Sequence, residues 1–468
     1  MRNIFSTLAT AHLGKSINSS LRANITAYMV LGLLSFEATS QSITATGTPL
    51  SLSDTIKIAL QNDDWLLKSQ SIEKGLYALS EGADALPDPV ISLRVLNLPS
   101  NGFAFNQEEM TQLQLAASQQ LPRGDTLKLK QEKYKTVAEE QPLLRFDRMA
   151  KIALRAEELW LDAYKAQTSY QLVEDTRPLI QKLEEIVSTS YASSVGSAGQ
   201  QDIIRAQLEI MRLRDRLIEL KTQKVVSLKK LSQYLFNSRT SGVTDYIPSS
   251  DIQLPSKLND ISYIDKKRIS LFDTQSNQEL IQLVSMHPLV RAKAQQVKGF
   301  EFDTKIAKQS LKPQYAVNAS YSFRDDTPQG TSRANFYSVG ISMSMPLFSS
   351  TKQDAEISSR VQTTEAVKTE KLLLIREFLA TVNSAYADYK GLCERINIYE
   401  TGIIPQIKQQ TQASLNAYTN DAGNFAEVVR AQVSELDAQL TLLGLEVAKH
   451  KAIATLRYYL PLEAQTYE

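Results

Sequence analysis

Cysteine is nearly absent from this chain. Cys393 is the only one in 468 residues, so no disulfide can form within a chain and no multi-cysteine metal cluster can be built. A lone cysteine in a helical stretch reads as a small buried residue. Histidine is almost as scarce, with only His12, His287 and His450, and no His, Cys or Met set shows metal-ligand spacing. Met343 and Met345 share one strand face and read as a packing pair rather than a copper site. Acidic and basic residues nearly cancel, at a formal charge of +1. That removes the basic field a nucleic-acid partner would need, and there is no acidic tail. A nucleophile–base pair, a glycine-rich phosphate loop and a metal-ligand motif are all missing, so the chain offers no enzyme chemistry and calls for no cofactor. Acid pairs such as Glu184-Glu185 read as solvated helix surface.

Long hydrophobic runs are missing too. After the first forty residues no segment is apolar enough, for long enough, to cross a bilayer as a helix. Any membrane crossing must therefore use strands. Residues 1–40 read as a signal peptide: Arg2, Lys15 and Arg22 precede an apolar stretch from Ile25 to Phe36, and Ala38-Thr39-Ser40 supplies small residues before Gln41. Gly and Pro are sparse, and runs rich in Ala, Gln, Glu, Lys and Leu dominate, as in long, laterally packed helices.

What is present is a duplication. Ile203-Ile204-Arg205-Ala206-Gln207 recurs as Val428-Val429-Arg430-Ala431-Gln432, and Tyr164-Lys165 as Tyr389-Lys390. Leu86-Pro87 matches Leu311-Lys312-Pro313, Leu121-Pro122 matches Met345-Pro346, and Asn62-Asp63 matches His287-Pro288. All five pairs are collinear and about 225 residues apart, which marks two copies of one unit. The first copy spans residues 41–236 and the second 277–460, with an inter-repeat linker at 237–276 and a short tail at 461–468.

Each copy has the same parts. A first helix is expected over 53–82, capped by Ser53, and over 277–309. Two alternating strands follow, at 90–98 and 111–120, then at 315–323 and 337–345, with one face apolar and the other polar. A very long helix comes next, over 126–190 and 354–419, each spanning about 95–100 Å. Apolar residues there step by three and four, as in Phe146, Met149, Ala153, Ala156, Trp160 and Ala163, which is a coiled-coil seam. Pro178 and Pro405 are expected to kink these helices. The chain then reverses through turns that contain Gly196 and Gly423, and return helices run to about residues 236 and 459.

Strands of about ten residues suit an oblique crossing of an outer membrane. Four strands cannot close a barrel, so a chain must borrow strands: two chains give eight and three give twelve. Only twelve leaves an aqueous lumen, but the alternation itself does not choose. A soluble protein whose hairpins form an ordinary sheet above a coiled-coil stalk is the competing reading.

The order of helix, Leu86-Pro87-Asp88-Pro89 hairpin, long helix, turn and Arg-Ala-Gln return helix, given twice, resembles the TolC outer-membrane efflux family. The stretches Asn97-Leu98-Pro99 and Gln120-Leu121-Pro122-Arg123-Gly124 are similar to its heavy-metal-efflux branch. The resemblance implies a mainly α fold with a small β part. In it, a homotrimer builds a twelve-stranded β-barrel in outer-membrane lipid, continued by an α-helical barrel through the periplasm. It further implies docking to a periplasmic adaptor and an inner-membrane pump, with passive conduction and no catalysis. Many relatives carry a lipid-modified cysteine at the mature N-terminus; none stands near the expected cleavage point here. Acidic residues just after the second turn line the family's periplasmic constriction. The matching position is Glu427, with Arg430 one helical turn on, placed to pair with it. Asp421 lies in that turn, and Asp202 and Arg205 are the first-copy equivalents. The family often has a second acid where Arg430 stands. The rival from another class is a periplasmic coiled-coil scaffold or adaptor without a barrel. Such adaptors usually carry one helical hairpin, whereas two are expected here. The two turns differ: Tyr191 to Arg205 is about two residues longer than Tyr418 to Arg430.

Overall fold

The computed structural model describes residues 49–192, 200–235, 252–258, 263–274, 276–420 and 425–461. The expected signal peptide and the turn residues Gly196, Asp421 and Gly423 lie outside them.

The first copy opens with α1 (Leu52–Gln61), α2 (Asp64–Gly82), β1 (Val90–Leu96) and β2 (Gln112–Leu121). It continues through α3 (Thr126–Ala138), α4 (Glu140–Ala192) and the return helix α5 (Gln200–Leu235). Helix α6 (Tyr263–Thr274) belongs to the inter-repeat stretch. The second copy repeats the pattern with α7 (Asn277–Ser285), α8 (Pro288–Gln309), β3 (Gln314–Phe323) and β4 (Phe336–Ser344). It ends with α9 (Ser349–Ile398), a five-residue π-turn at Tyr399–Ile403, α10 (Ile404–Thr419) and the return helix α11 (Phe425–Tyr459).

Several boundaries differ from the sequence expectation, each for a local reason. The first cap is Ser51, not Ser53; its hydroxyl accepts the Asp54 N–H at 3.1 Å. The opening helix of each copy is two helices. Asp63 caps the second piece in copy one, and His287 does so in copy two. Apolar periodicity runs straight through both breaks, so it cannot reveal them. Pro288 lacks an N–H and is well suited to a first helical turn, which favours the restart. A similar restart at Glu139 divides α3 from α4. The two prolines behave differently. Pro178 is carried inside α4, whereas Pro405 directly follows the π-turn, where the Ile404 N–H reaches back to the Tyr399 carbonyl.

One seam of apolar side chains binds the copies together. Trp160, Leu161 and Tyr164 of α4 pack with Leu228 and Leu231 of α5 and with Leu443 and Val447 of α11. Further along, Val173, Ile210, Leu213 and Leu217 enclose Leu436. Residues 252–258 strap across the first copy. Ile252 and Leu254 are buried against it, the Leu50 N–H donates to the Gln253 carbonyl at 2.7 Å, and the Trp160 indole N–H donates to the Leu50 carbonyl at 3.0 Å. A buried ionic knot then locks α4, α6 and α11. Arg457 donates to Glu157 at 2.5 Å and to Asp265 at 2.7 Å, while Arg268 pairs with Asp265 and donates to the Leu460 carbonyl at 2.8 Å. Removing one partner of such a knot leaves a buried charge and costs about 3–5 kcal/mol.

His287 is fully buried at the α7–α8 break, edge-on to Phe378 (4.8 Å) and Tyr458 (4.9 Å). Its Nδ1 accepts the Leu289 N–H at 3.1 Å, so the ring is neutral with its proton on Nε2. Burial depresses its pKa from 6.5 to about 4, outweighing the opposing pull of the Asp147 charge. Between those values the unfolded chain binds the extra proton, so stability is full above pH ~6.5 and falls as pH drops toward ~4, by about 3 kcal/mol in all. In denaturation measured across that window, His287→Asn, which keeps a capping side chain but cannot titrate, is expected to flatten this part of the pH dependence. An undiminished decline would assign it to other groups.

Candidate functional site

The four strands form one antiparallel sheet in the order β1-β2-β3-β4, so the central pairing joins the two copies. Strand alternation and register together sort the side chains onto two faces. Ile91, Leu93 and Val95 align with Ala117, Leu115 and Leu113. The row continues through Ala319, Tyr321 and Phe323, and β4 adds Tyr337, Val339, Ile341 and Met343. This apolar face is bare: Val339 is 81% and Ile341 76% exposed. The opposite face carries Ser92, Gln114, Ser118, Asn318, Ser320, Ser338 and Gly340, and it is concave, enclosing a trough of about 400 Å³. Cross-strand hydrogen bonds run along it, from the Ser118 hydroxyl to Asn318 at 2.6 Å and from the Gln114 amide to Ser320 at 3.3 Å. Apolar outside and polar inside is the reverse of a soluble sheet over a core. Strands β1 and β4 each pair on one side only, which leaves two open edges.

Prolines and a glycine fix the junction between sheet and helices. Pro122 and Gly124 sit between β2 and α3; Gly124 has φ +47°, and the Lys312 side chain leaves no room there for a Cβ. Arg123 donates to the Ser310 carbonyl and Lys312 pairs with Asp125 at 3.0 Å, so the two copies are joined at this level as well.

The helical part shows a different incompleteness. On α5, Ile204, Met211 and Ile218 recur at seven-residue intervals and are 58%, 62% and 66% exposed. Their counterparts on α11, at the repeat offset, are Val429, Leu436 and Leu443, at 4%, 2% and 6%. The same asymmetry separates buried Val173 (0%) from exposed Ile398 (55%). Second-copy α11 has the first copy to lie against; first-copy α5 has no such neighbour. Elsewhere, α9 and α11 leave an open groove of about 840 Å³ lined by small residues, among them Ala380, Ser384, Ala387, Gly391 and Ala448. Small residues let a further helix approach closely.

The expected tip residues are only partly brought together. Glu427 and Arg430 stand exposed in the first turns of α11, on either side of buried Val428 and Val429. No ion pair joins them, contrary to the expected i, i+3 pairing. Arg205 is exposed on α5. Asp202 lies in the same helix, but its side chain is outside the described residues. Sequence reasoning passed over the α5 stripe, although its seven-residue spacing was the signal that would have found it.

Twenty-three solved chains share this architecture. The outer-membrane channel OprN superposes with a TM-score of 0.70 at 15% identity, covering 88% of this chain and 90% of that one. The fold is that of an outer-membrane channel protomer. VceC of Vibrio cholerae gives 0.69 at 13% identity, over 87% of this chain and 95% of that one. CusC, a transmembrane channel, gives 0.66 at 15% identity, over 87% and 91%. Residues 280–460, the second copy, match the family model described as Outer membrane efflux protein. The family and these neighbours are channel proteins, not enzymes. No curated protein sequence matches the chain. Among the described residues no helix is long and apolar enough to cross a membrane, which says nothing against a β-barrel.

Replacing Met211 by Glu puts a charge where the single protomer is already open to water, so the protomer is expected to fold. Any assembly that buries the α5 stripe is expected to lose its oligomer band on unheated gels. Leu436→Glu, at the buried counterpart, is expected to unfold the protomer itself, by circular dichroism. An intact oligomer in Met211→Glu would remove the stripe from the interface.

Proposed function

We propose that this protein is the outer-membrane exit duct of a tripartite efflux system, a homotrimer that passively conducts cargo delivered by a periplasmic adaptor and an inner-membrane pump. One observation carries the reading: a curved, open four-stranded sheet whose convex face is apolar and whose concave face is polar. In lipid an open edge leaves N–H and C=O groups unpaired, at several kcal/mol each, so β4 of one chain must pair with β1 of the next. Antiparallel order is preserved across such a seam because each chain contributes an even number of strands. Ten tilted residues span about 25 Å, the height of an outer-membrane apolar band.

Three chains suit the residues better than two. An eight-stranded interior is filled by its own side chains, but this concave face is largely serine, glycine, alanine and asparagine, which leave space. Twelve strands enclose a wet lumen. In the ring, the α5 stripe of one protomer meets the second copy of its neighbour, repeating between chains the contact that α11 makes within one. The similarity of residues 280–460 to the efflux family and the channel fold support the outer-membrane placement. The adaptor and pump follow from that family likeness. CusC is one neighbour among several, so the heavy-metal branch rests only on the likeness of the Asn97-Leu98-Pro99 and Gln120-Leu121-Pro122-Arg123-Gly124 stretches.

Membrane fractionation tests the duct. Recovery in detergent-extracted outer membrane as a heat-sensitive trimer is expected, and Ile341→Arg, on the lipid-facing surface, is expected to cost about 2–4 kcal/mol at mid-bilayer and deplete that fraction. Wild-type protein found in the soluble periplasm would instead favour a scaffold or adaptor.

Glu427 and Arg430 belong to the closed end in this reading. Three symmetry-related copies of each ring the narrow tip, where carboxylates attract cations and the guanidinium ties adjacent helices. Glu427→Ala and Arg430→Ala are expected to raise planar-bilayer conductance. Unchanged conductance in both would remove these residues from the gate.

A further inference from the structure

Arg94 is the one charged residue in the four strands. It lies among the residues lining the concave trough, paired across the register with Gln114. The side chain is exposed, and no ion pair joins it to any described residue. Its neighbours on that face are Ser92, Gln114, Ser320 and Ser338, which carry dipoles but no countercharge. On a face otherwise built of neutral groups, this guanidinium is the one charge that distinguishes an anion from a cation.

We propose that Arg94 sets the charge preference of the strand-built lumen, which favours anionic solutes carrying carboxylate, phosphate or sulfonate groups over cations. The inference rests on the channel reading above, because it needs the concave face to be a lumen. Twelve strands about 4.8 Å apart and tilted roughly 40° enclose a backbone radius of about 12 Å. A long Arg side chain shortens that distance, so three symmetry-related guanidiniums act on any solute in the outer half of the barrel. Arginine stays charged at every working pH, and its planar fork matches oxyanions.

The loops beyond the strands do not supply the same preference. Arg324 and Arg333 donate to backbone carbonyls, Arg324 to Ala334 and Glu109, Arg333 to Asn106 and Glu108. Four acids, Glu108, Glu109, Asp325 and Asp326, share those connections. A cation therefore meets acids at the outer rim but a positive ring within the strands.

The test is the reversal potential of the purified trimer in planar bilayers under a potassium chloride gradient. Three screened charges at about 10 Å shift each ion about twofold in opposite senses, which predicts roughly a fourfold gain in the chloride-to-potassium permeability ratio over Arg94→Ser. Arg94→Glu is expected to lower the ratio about fourfold below that of the serine variant, and Arg94→Lys to restore the wild-type value. Trimer bands on unheated gels report whether each variant assembles. Channels whose ratio is the same in wild type, Ser and Glu variants would overturn the role of Arg94 while leaving the duct intact. Wild-type trimer that forms no channels would overturn both.

Discussion

A backbone amide that leaves water must find a carbonyl, and most of this architecture follows from where those partners are located. Helices satisfy their own, and their ends are served by Ser51, Asp63, Ser276 and His287. The sheet satisfies only its interior: β2 and β3 are paired on both sides, whereas β1 and β4 keep one side open. An edge of that kind is tolerable in water and prohibitive in lipid. The apolar convex face makes water the wrong solvent for this sheet, and the open edges make lipid the wrong solvent for a single chain. In the proposed trimer, association with further copies resolves both conflicts.

Duplication provides the means. The contact between α11 and the first copy is the pattern that the proposed trimer would repeat between α5 and the next chain, and the residues already stand at matching positions. Ile204, Met211 and Ile218 expose what Val429, Leu436 and Leu443 bury. The ionic knot among Glu157, Asp265, Arg268 and Arg457 has a different role. It ties the copies together from inside, through the non-repeated α6.

Much of this was readable in the residues because two signals were strong. Collinear matches over the whole chain gave the repeat, and ten-residue alternation gave the strands almost to their ends. What stayed hidden depended on contacts rather than pattern. The helix breaks at Asp63 and His287 interrupt unbroken apolar periodicity, and Ser51 outcompetes Ser53 by one hydrogen bond. The π-turn has no composition of its own. The α5 stripe was visible as spacing, but only its exposure gives it meaning. Arg94 looks like any arginine in an alternating strand until the register places it on a face without another charge. Of the tip residues, Glu427 and Arg430 were assigned by family likeness alone, and their exposure neither adds to nor removes that assignment.

The π-turn at Tyr399–Ile403 makes the two long helices mechanically unequal. Between Tyr389 and Pro405 the second copy holds two residues more than the first does between Tyr164 and Pro178. A π-turn accommodates an extra residue in one widened revolution. Its hydrogen bonds reach one residue further, and the Thr401 carbonyl, four residues before Pro405, receives no amide from it. The first copy carries its proline through an unbroken α-helix. Both prolines remove one backbone hydrogen bond, but only the second long helix widens to absorb extra residues, so in the proposed duct a load on the helical ends meets two unequal hairpins.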